Sequence, residues 1–294
     1  MKRIAIFTNS HKDSDLLYTC EAIRILARED CVISIQSGFE KHIRAVFPDL
    51  PKCISFTSCQ SKLSDADIIL VLGGDGTILD AARDAIPLNI PILGINLGRI
   101  GYIAELEKNE LHMLKKLFTD EYSIKERMTL RVEIINPNGE VVSCINSSAL
   151  NDAVVSHGTV SRIVDIRLFS GKDPVADYRA DGLIVATPTG STAYSMAAGG
   201  PVLAPHMDCM CVTPICPHAL SARPLIFSGD DVLMIENTCD REECLYLTVD
   251  GQGANRLEQG YFVRIARSNK KARLISMKES RFFSVLHNKL SSIL

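Results

Sequence analysis

The stretch Ile68-Ile69-Leu70-Val71-Leu72-Gly73-Gly74-Asp75-Gly76-Thr77 decides how this chain is read. Its five consecutive large apolar residues suit a strand buried on both faces, the signature of a parallel sheet covered by helices. The run stops at two glycines, and Thr77 to Ile86 then has helical spacing and ends before Pro87. In an open parallel sheet, ligands bind at the carboxyl ends of the strands, and this is such an end. Glycines let backbone N–H groups approach a ligand oxygen, and the start of the following helix adds about half a positive charge. The segment therefore predicts a di- or triphosphate site. A carboxylate among phosphate oxygens is unfavourable unless a metal ion or a proton-donating hydroxyl lies between them, so Asp75 points to Mg²⁺ handling or proton acceptance. The plainer alternative is a glycine turn with Asp75 as a helix cap.

Outward from this stretch, short apolar runs at Ile4 to Phe7, Val32 to Ile35 and Ile92 to Ile95 alternate with helical spacing, a parallel α/β pattern. Asp13 can cap a helix striped by Leu16, Cys20, Ile23 and Ala27, and Leu111, Leu114, Leu117 and Phe118 mark a further helix. After about residue 122 the texture changes to strands bounded by turns: Leu130 to Ile135, the turn Asn136-Pro137-Asn138-Gly139, and Val141 to Ile145. Further strand-like runs follow at Ala153 to Ser156, Ile163 to Phe169, Leu183 to Ala186, Val232 to Ile235, Leu245 to Val249 and Tyr261 to Ala266. Thr189 to Ala198 reads as a short helix among them. The expected organisation is an α/β domain over 1–122, a mainly antiparallel β domain over 123–268, and a tail over 269–294. The tail ends in Phe282, Phe283, Val285, Leu286 and Leu290, apolar enough to need a docking surface.

The 294 residues suggest about two domains. The 32 Lys and Arg against 35 Asp and Glu, a net charge of -3, give no electrostatic reason to expect a nucleic-acid or anionic-membrane binder. At 46% hydrophobic and 23% charged residues the chain is too apolar for disorder. Its apolar runs fall far short of the ~18 residues of a membrane helix, and the N-terminal one is shorter than the core of a signal peptide. A cytoplasmic protein with reduced thiols is expected, its 10 cysteines being scattered through apolar segments. Cys209, Cys211 and Cys216 lack paired C-x-x-C spacing and suit one face of a strand better than zinc. Of the histidines, His11, His42, His112, His157 and His287 read as surface or packing residues, while His206 and His218 lie in Pro-containing loops and His218 reads as a structural hydrogen-bonder. There is no Walker A string, Gly171-Lys172 being followed by Asp173, and no Gly-x-Gly-x-x-Gly.

Two more segments carry chemistry. Ala180-Asp181-Gly182 leads through an apolar run to Thr187-Pro188-Thr189-Gly190-Ser191-Thr192-Ala193-Tyr194, a turn whose hydroxyls suit sugar and base edges. Its bland reading is a Ser or Thr helix cap. Asn151-Asp152, at the start of a strand, can bracket the two hydroxyls of a ribose, or serve as ordinary turn chemistry.

Together these segments resemble the NAD kinase family of bacterial, ATP- or polyphosphate-dependent type. The likeness extends through Asn96-Leu97-Gly98-Arg99-Ile100-Gly101-Tyr102, Asp181 to Pro201, and Pro214-Ile215-Cys216-Pro217-His218-Ala219-Leu220-Ser221-Ala222-Arg223-Pro224. It implies a Rossmann-like N-terminal domain, a β-sandwich-like C-terminal domain, a tail returning to the first domain, and a homodimer or homotetramer. It also implies transfer of the γ-phosphoryl of ATP, or of polyphosphate in some members, to the adenosine-ribose 2′-hydroxyl of NAD, with Mg²⁺ on the nucleotide phosphates. By this resemblance Asp75 faces the 2′-hydroxyl as the proton acceptor, and Gly73, Gly74, Gly76 and Thr77 contact phosphate. Asn151 and Asp152 grip NAD hydroxyls, Asp181 lies toward the nicotinamide end, Arg179, two residues before it, meets the substrate, and Thr192, Ala193 and Tyr194 lie near the adenine and its ribose. Many relatives carry Glu at Asp152, which shortens one contact here, and Phe at Tyr102. Two rival readings are a non-catalytic NAD or NADP sensor and another kinase with a Gly-Gly-Asp-Gly loop, acting on a lipid or sugar phosphate.

Overall fold

A computed structural model describes residues 1–47, 49–57, 65–98, 101–158, 163–239, 245–279 and 282–291, apart from the side chains of 284 and 288–291. Arg99, Ile100, Cys59, Cys244 and the side chain of Leu290 lie outside the described residues. The chain divides into two compact units, one of Met1–Glu126 with Ala272–Leu294 and one of Arg127–Lys271.

The first unit is built on an eight-stranded sheet. Its strands in chain order are β1 (Lys2–Thr8), β2 (Cys31–Gln36), β3 (Ile54–Thr57), β4 (Ile68–Gly73), β5 (Ile92–Asn96), β6 (Leu106–Glu107) and β7 (Ser123–Arg127), together with Ala272–Ser276 near the C-terminus. The spatial order begins β3-β2-β1-β4-β5, and these neighbours pair in parallel. The order reverses between β1 and β4, which makes their carboxyl ends the topological switch point of the sheet. β4 is buried along its whole length, as its unbroken apolar run requires.

Three helix readings need correction. α1 (Leu17–Leu26) buries Leu26 rather than Ala27 alongside Cys20 and Ile23. Asp13 does cap it, accepting the N–H groups of Tyr18 and Thr19 at 2.9 and 2.8 Å, but from several residues upstream. The intervening Asp15 and Leu16 adopt φ of 55° and 49°, which bends the chain back onto the helix start. After α2 (Glu40–Val46), the helix of the glycine segment, α3 (Asp75–Ala85), begins two residues before Thr77, so Asp75 occupies its first turn. The segment Lys108–Leu117 is a 3-10 helix with Phe118 as its C-cap. At three residues per turn Leu111, Leu114 and Leu117 stack on one side, and all three are buried.

The second unit consists of two six-stranded sheets. Its strands are β8 (Leu130–Ile135), β9 (Val141–Ala149), β10 (Asp152–His157), β11 (Val164–Ser170), β12 (Asp173–Ala180), β13 (Gly182–Ala186), β14 (Cys209–Ile215), β15 (Leu225–Ser228), β16 (Leu233–Asn237), β17 (Leu245–Val249), β18 (Gln252–Leu257) and β19 (Phe262–Arg267). One sheet runs β15-β14-β13-β10-β17-β18 and the other β12-β11-β16-β19-β8-β9, with antiparallel neighbours. A shared core of inward residues, such as Val132, Val155, Ile166, Val185, Ile235 and Ile265, fills the space between them.

β13 and β14 are buried on both faces. On the outer face Ile184, Ala186 and Ile215 pack with Ala198, and Cys209 and Cys211 pack with Leu203. The covering segment contains a 3-10 turn (Gly190–Thr192) followed by the one-turn helix α4 (Tyr194–Ala197), shorter than the helix expected over 189–198. Cys209 and Cys211 do share a strand face, with Met210 and Val212 pointing the other way into the central core.

Leaving this unit, the chain forms β20 (Ala272–Ser276), which enters the first unit's sheet beside β5 in parallel, and then α5 (Phe282–Ser291). The Glu105 carboxylate anchors the segment by accepting the N–H groups of Met277 and Lys278 at 2.7 and 2.8 Å.

Candidate active site

In the first unit the loops after β1, β4 and β5 meet at the switch point. The Asn9 N–H donates to the Leu72 carbonyl at 3.0 Å, and that of Leu97 to the Gly73 carbonyl at 2.7 Å. The Asn9 side-chain amide donates to the Thr77 hydroxyl at 3.2 Å. Gly73 and Gly74 are buried and Gly76 is exposed at the start of α3.

The missing side chains of three glycines make room for other residues. A Cβ on Gly73 would collide with the Thr77 side chain, one on Gly74 with the Lys12 ammonium, and one on Gly101 with the Asp75 carboxylate. The ammonium of Lys12 also stands 3.3 Å from where a Cβ on Gly98 would be. Lys12 was not anticipated; the signal that could have found it is the rule that the loop following β1 also faces the switch point.

Asp75 is half-buried, and its carboxylate accepts the N–H of Tyr102 at 2.7 Å and that of Ile103 at 3.3 Å. Two backbone donors thus fix its orientation and leave acceptor positions unused, a carboxylate having about four. Burial, and then the charge of Asp75, push the Tyr102 phenol above its usual range. Because the Asp75 carboxylate occupies the space of a Cβ at position 101, Gly101→Ala is expected to displace it. A misplacement of about 1 Å can cost 10²-fold in rate, so turnover should fall ~10–100-fold with the melting temperature nearly unchanged. Initial-rate kinetics beside a thermal melt check this; unchanged turnover would show that the approach of Gly101 to Asp75 is incidental.

In the second unit, Asn151 and Asp152 are 7% and 5% exposed at the start of β10. The Asp250 carboxylate accepts the N–H groups of Leu150, Asn151 and Asp152 at 2.9, 2.7 and 3.1 Å. Thr187 holds the same turn from the other side: its N–H donates to the Asn151 carbonyl at 2.8 Å and its hydroxyl to the Leu150 carbonyl at 2.6 Å. The Asn151 side-chain oxygen is buried without a hydrogen-bond partner. Burial first, and then the Asp250 charge, push the Asp152 carboxyl up to about 7.

The hydroxyls of the 187–195 segment face inward more than expected. Thr187, Ser191 and Ser195 are fully buried and bonded within the fold, Ser191 to the Pro188 carbonyl at 2.7 Å and Ser195 to the Thr213 hydroxyl at 2.9 Å. Thr192 donates its hydroxyl to the Thr189 carbonyl at 3.1 Å, Ala193 is half-buried, and Tyr194 is exposed. The hydroxyls of Thr187, Ser191, Thr192 and Ser195 thus shape the turn, while Thr189 is half-buried and Tyr194 stays exposed. A Cβ on Gly190 would strike the backbone carbonyl of Asn151, which cannot rotate away. Gly190→Ala should therefore cost ~1–3 kcal/mol by overpacking, seen as a melting temperature several degrees lower, and weaken ligand binding at Asn151. A wild-type melt for this variant would show that the two segments are free to part.

Arg179 and Asp181 do not join this group. β10 and β13 pair with Asp152 opposite Ala186 and Ser156 opposite Gly182, so Asp181 lies five strand steps, ~16 Å, from Ala186. At that end the Asp181 N–H donates to the Ile215 carbonyl at 2.9 Å, and the Asp181 carbonyl accepts the N–H of His157 at 3.3 Å. Arg179 is exposed on β12, 4.0 Å from the Asp165 carboxylate, and lines a groove of about 280 Å³ with Tyr178, Pro217 and Arg223. Its carbonyl accepts the His218 N–H at 2.9 Å. Among the described residues there is no cluster of three or more metal-ligating side chains, and no helix is long and apolar enough to cross a membrane.

A glycine loop beside a backbone-oriented carboxylate and an ammonium, at the switch point of a 3-2-1-4-5 sheet, has the features of a nucleotide-dependent phosphotransferase. Residues 4–122 match the ATP-NAD kinase N-terminal domain and residues 150–277 the ATP-NAD kinase C-terminal domain. An NAD kinase of Caldanaerobacter subterraneus subsp. tengcongensis is 37% identical over 298 residues, covering 99% of each chain. One of Natranaerobius thermophilus is 41% identical over 293 residues, covering 99% of this chain and 98% of the other. The chain belongs to the NAD kinase family. Its fold matches those of yeast NADH kinase complexed with NADH, at a TM-score of 0.88, and of an NAD kinase from Archaeoglobus fulgidus in complex with ATP, at 0.75. Each is 24% identical, the first covering 99% of this chain and 88% of that one, the second 99% and 100%.

Proposed function

We propose that the chain transfers the γ-phosphoryl group of ATP to the 2′-hydroxyl of the adenosine ribose of NAD, giving NADP and ADP. The observation that carries this reading is the Asp75 carboxylate, oriented by two backbone N–H groups beside the glycine loop. The loop N–H groups, the start of α3 and the Lys12 ammonium supply positive charge for the donor phosphates. Asn151 and Asp152 accept hydrogen bonds from NAD hydroxyls, and the Thr192–Tyr194 backbone and the Tyr194 ring border the adenosine.

Phosphoryl transfer asks the protein mainly for positioning and charge stabilisation. Asp75 accepts the proton of the 2′-hydroxyl as the ribose oxygen bonds to the γ-phosphorus. The bond from that phosphorus to the bridging oxygen breaks, and ADP leaves. Asp75 is a single carboxylate already engaged by N–H donors, so the residues suit Mg²⁺ carried on the nucleotide phosphates rather than one caged by protein ligands. Bound there, the ion screens phosphate charge. Family membership supports a homodimer or homotetramer, with Asp181 serving the nicotinamide end and Arg179 meeting the substrate, and the scattered thiols support a cytoplasmic location.

The test supplies purified protein with NAD, ATP and Mg²⁺ and follows NADP through an NADP-specific dehydrogenase. Steady NADP formation is expected. A folded protein that binds NAD and forms none would favour a non-catalytic sensor.

A further inference from the structure

Asp250 and Gly251 form the two-residue loop of the β17–β18 hairpin, with Val249 opposite Gln252 and φ of 50° and 69°. An Asp-Gly pair with both φ positive is ordinary hairpin chemistry, which Asn or Gly at the first position would serve equally well. The hairpin therefore does not explain the carboxylate. That group reaches across to β10, where Oδ2 accepts the N–H of Leu150 and Oδ1 those of Asn151 and Asp152. Its own N–H returns a bond to the Asp152 carbonyl at 2.9 Å.

Two further observations tie this arrangement to a ligand. Asn151 points a buried oxygen with no partner, and a buried polar atom left in that state is costly unless something arrives to donate to it. Asp152 is buried beside the second carboxylate, a like-charge arrangement that opposes folding, whereas an amide at 250 would relieve it. Opposite Asp152, β13 offers only Ala186, and Asp250 is the charged group that acts on it.

We propose that Asp250 is a positioning residue for NAD: by holding three consecutive N–H groups it fixes the directions in which Asn151 and Asp152 present their side chains to the ligand hydroxyls. The role rests on the reading of Asn151 and Asp152 as NAD contacts. It acts through the backbone, and Asp250 itself does not touch the substrate.

Asp250→Asn keeps the shape but turns an N–H donor toward the N–H of Leu150, losing one of the three bonds and the charge. The expected result is a KM for NAD raised about tenfold, in line with hydrogen bonds to charged groups, with kcat and the KM for ATP within about threefold. The inflection that Asp152 places in the pH profile of kcat/KM for NAD should also move to lower pH, because the opposing charge is gone. Asp250→Glu retains the charge with altered reach; it should raise the KM for NAD and leave the inflection in place. If circular dichroism shows Asp250→Asn unfolded, Asp250→Glu carries the comparison.

A folded Asp250→Asn with an unchanged KM for NAD and an unmoved inflection would overturn the proposal. So would an equal loss in kcat and in both KM values, or, where Asp250→Glu carries the test, an unchanged KM for NAD. Wild-type protein that binds NAD calorimetrically without turnover would instead defeat only the kinase reading, and the same comparison would be made on the dissociation constants for NAD. Wild-type protein that does not bind NAD would overturn both.

Discussion

Asp75→Asn is expected to lose turnover by ~10²–10⁴, the range for removal of a general base, while its dissociation constant for NAD stays within about twofold. The asparagine can still accept one of the N–H groups that Asp75 receives from Tyr102 and Ile103, at 2.7 and 3.3 Å, so the loop should keep its form. What it cannot do is take a proton from a hydroxyl. NAD affinity should survive because the residues assigned to NAD hydroxyls, Asn151 and Asp152, are held by Asp250 and Thr187. Turnover within tenfold of wild type would remove Asp75 from the role of base. A loss of NAD affinity as large as the loss of turnover would recast it as a binding residue.

Asp152→Asn should have the second-largest effect, with opposite signs for stability and binding. The carboxyl rises from 3.8 to about 7, so between those values the folded protein holds a proton that the unfolded chain has released. Stability therefore falls as pH rises from about 4 to about 7, and the full cost is present above pH 7. At ~1.36 kcal/mol per pKa unit that cost is on the order of 4 kcal/mol. Asparagine has no such titration, so the variant should match wild type in stability near pH 4 and exceed it near pH 8. NAD binding should weaken about 10–100-fold, the worth of a hydrogen bond to a charged group. Wild-type affinity should itself improve as pH rises through 7, since the ionised carboxylate is the stronger acceptor for an NAD hydroxyl. Urea titrations and calorimetry at pH 5 and pH 8 check both halves; parallel stability curves for the two proteins would show that Asp152 is not strained in the fold.

Much of this was legible in the sequence wherever the signal was local. The apolar run Ile68 to Leu72 announced a central parallel strand because burial on both faces leaves no polar alternation, and the glycines after it marked the loop. The spacing of Leu111, Leu114 and Leu117 was visible, but residues three apart also line the apolar stripe of an α-helix, so the 3-10 geometry was not. β3 went unread since all four of its residues are only half-buried, and β20 because it joins a sheet formed by distant sequence.

In the site, residue type was legible and direction was not. The hydroxyls of Thr187, Ser191 and Ser195 were visible, but whether they turn inward depends on partners such as Leu150 and Thr213. Lys12 carried no local motif, and Asp250 only that of an Asp-Gly hairpin turn, since each acts on glycines or amides far away in the chain. The separation of Asp181 from Asp152 was deducible in principle: Leu183 to Ala186 already read as a strand, and a strand holds its two ends apart.

The most direct measurement of the central claim is a phosphorus NMR spectrum of the products formed from NAD and ATP by the wild-type protein with Mg²⁺. One new phosphomonoester resonance, on the adenosine ribose at the 2′ position and growing in step with ADP, is the predicted result. ADP without that resonance, or a phosphoryl group at any other position, would contradict the assignment of the acceptor hydroxyl.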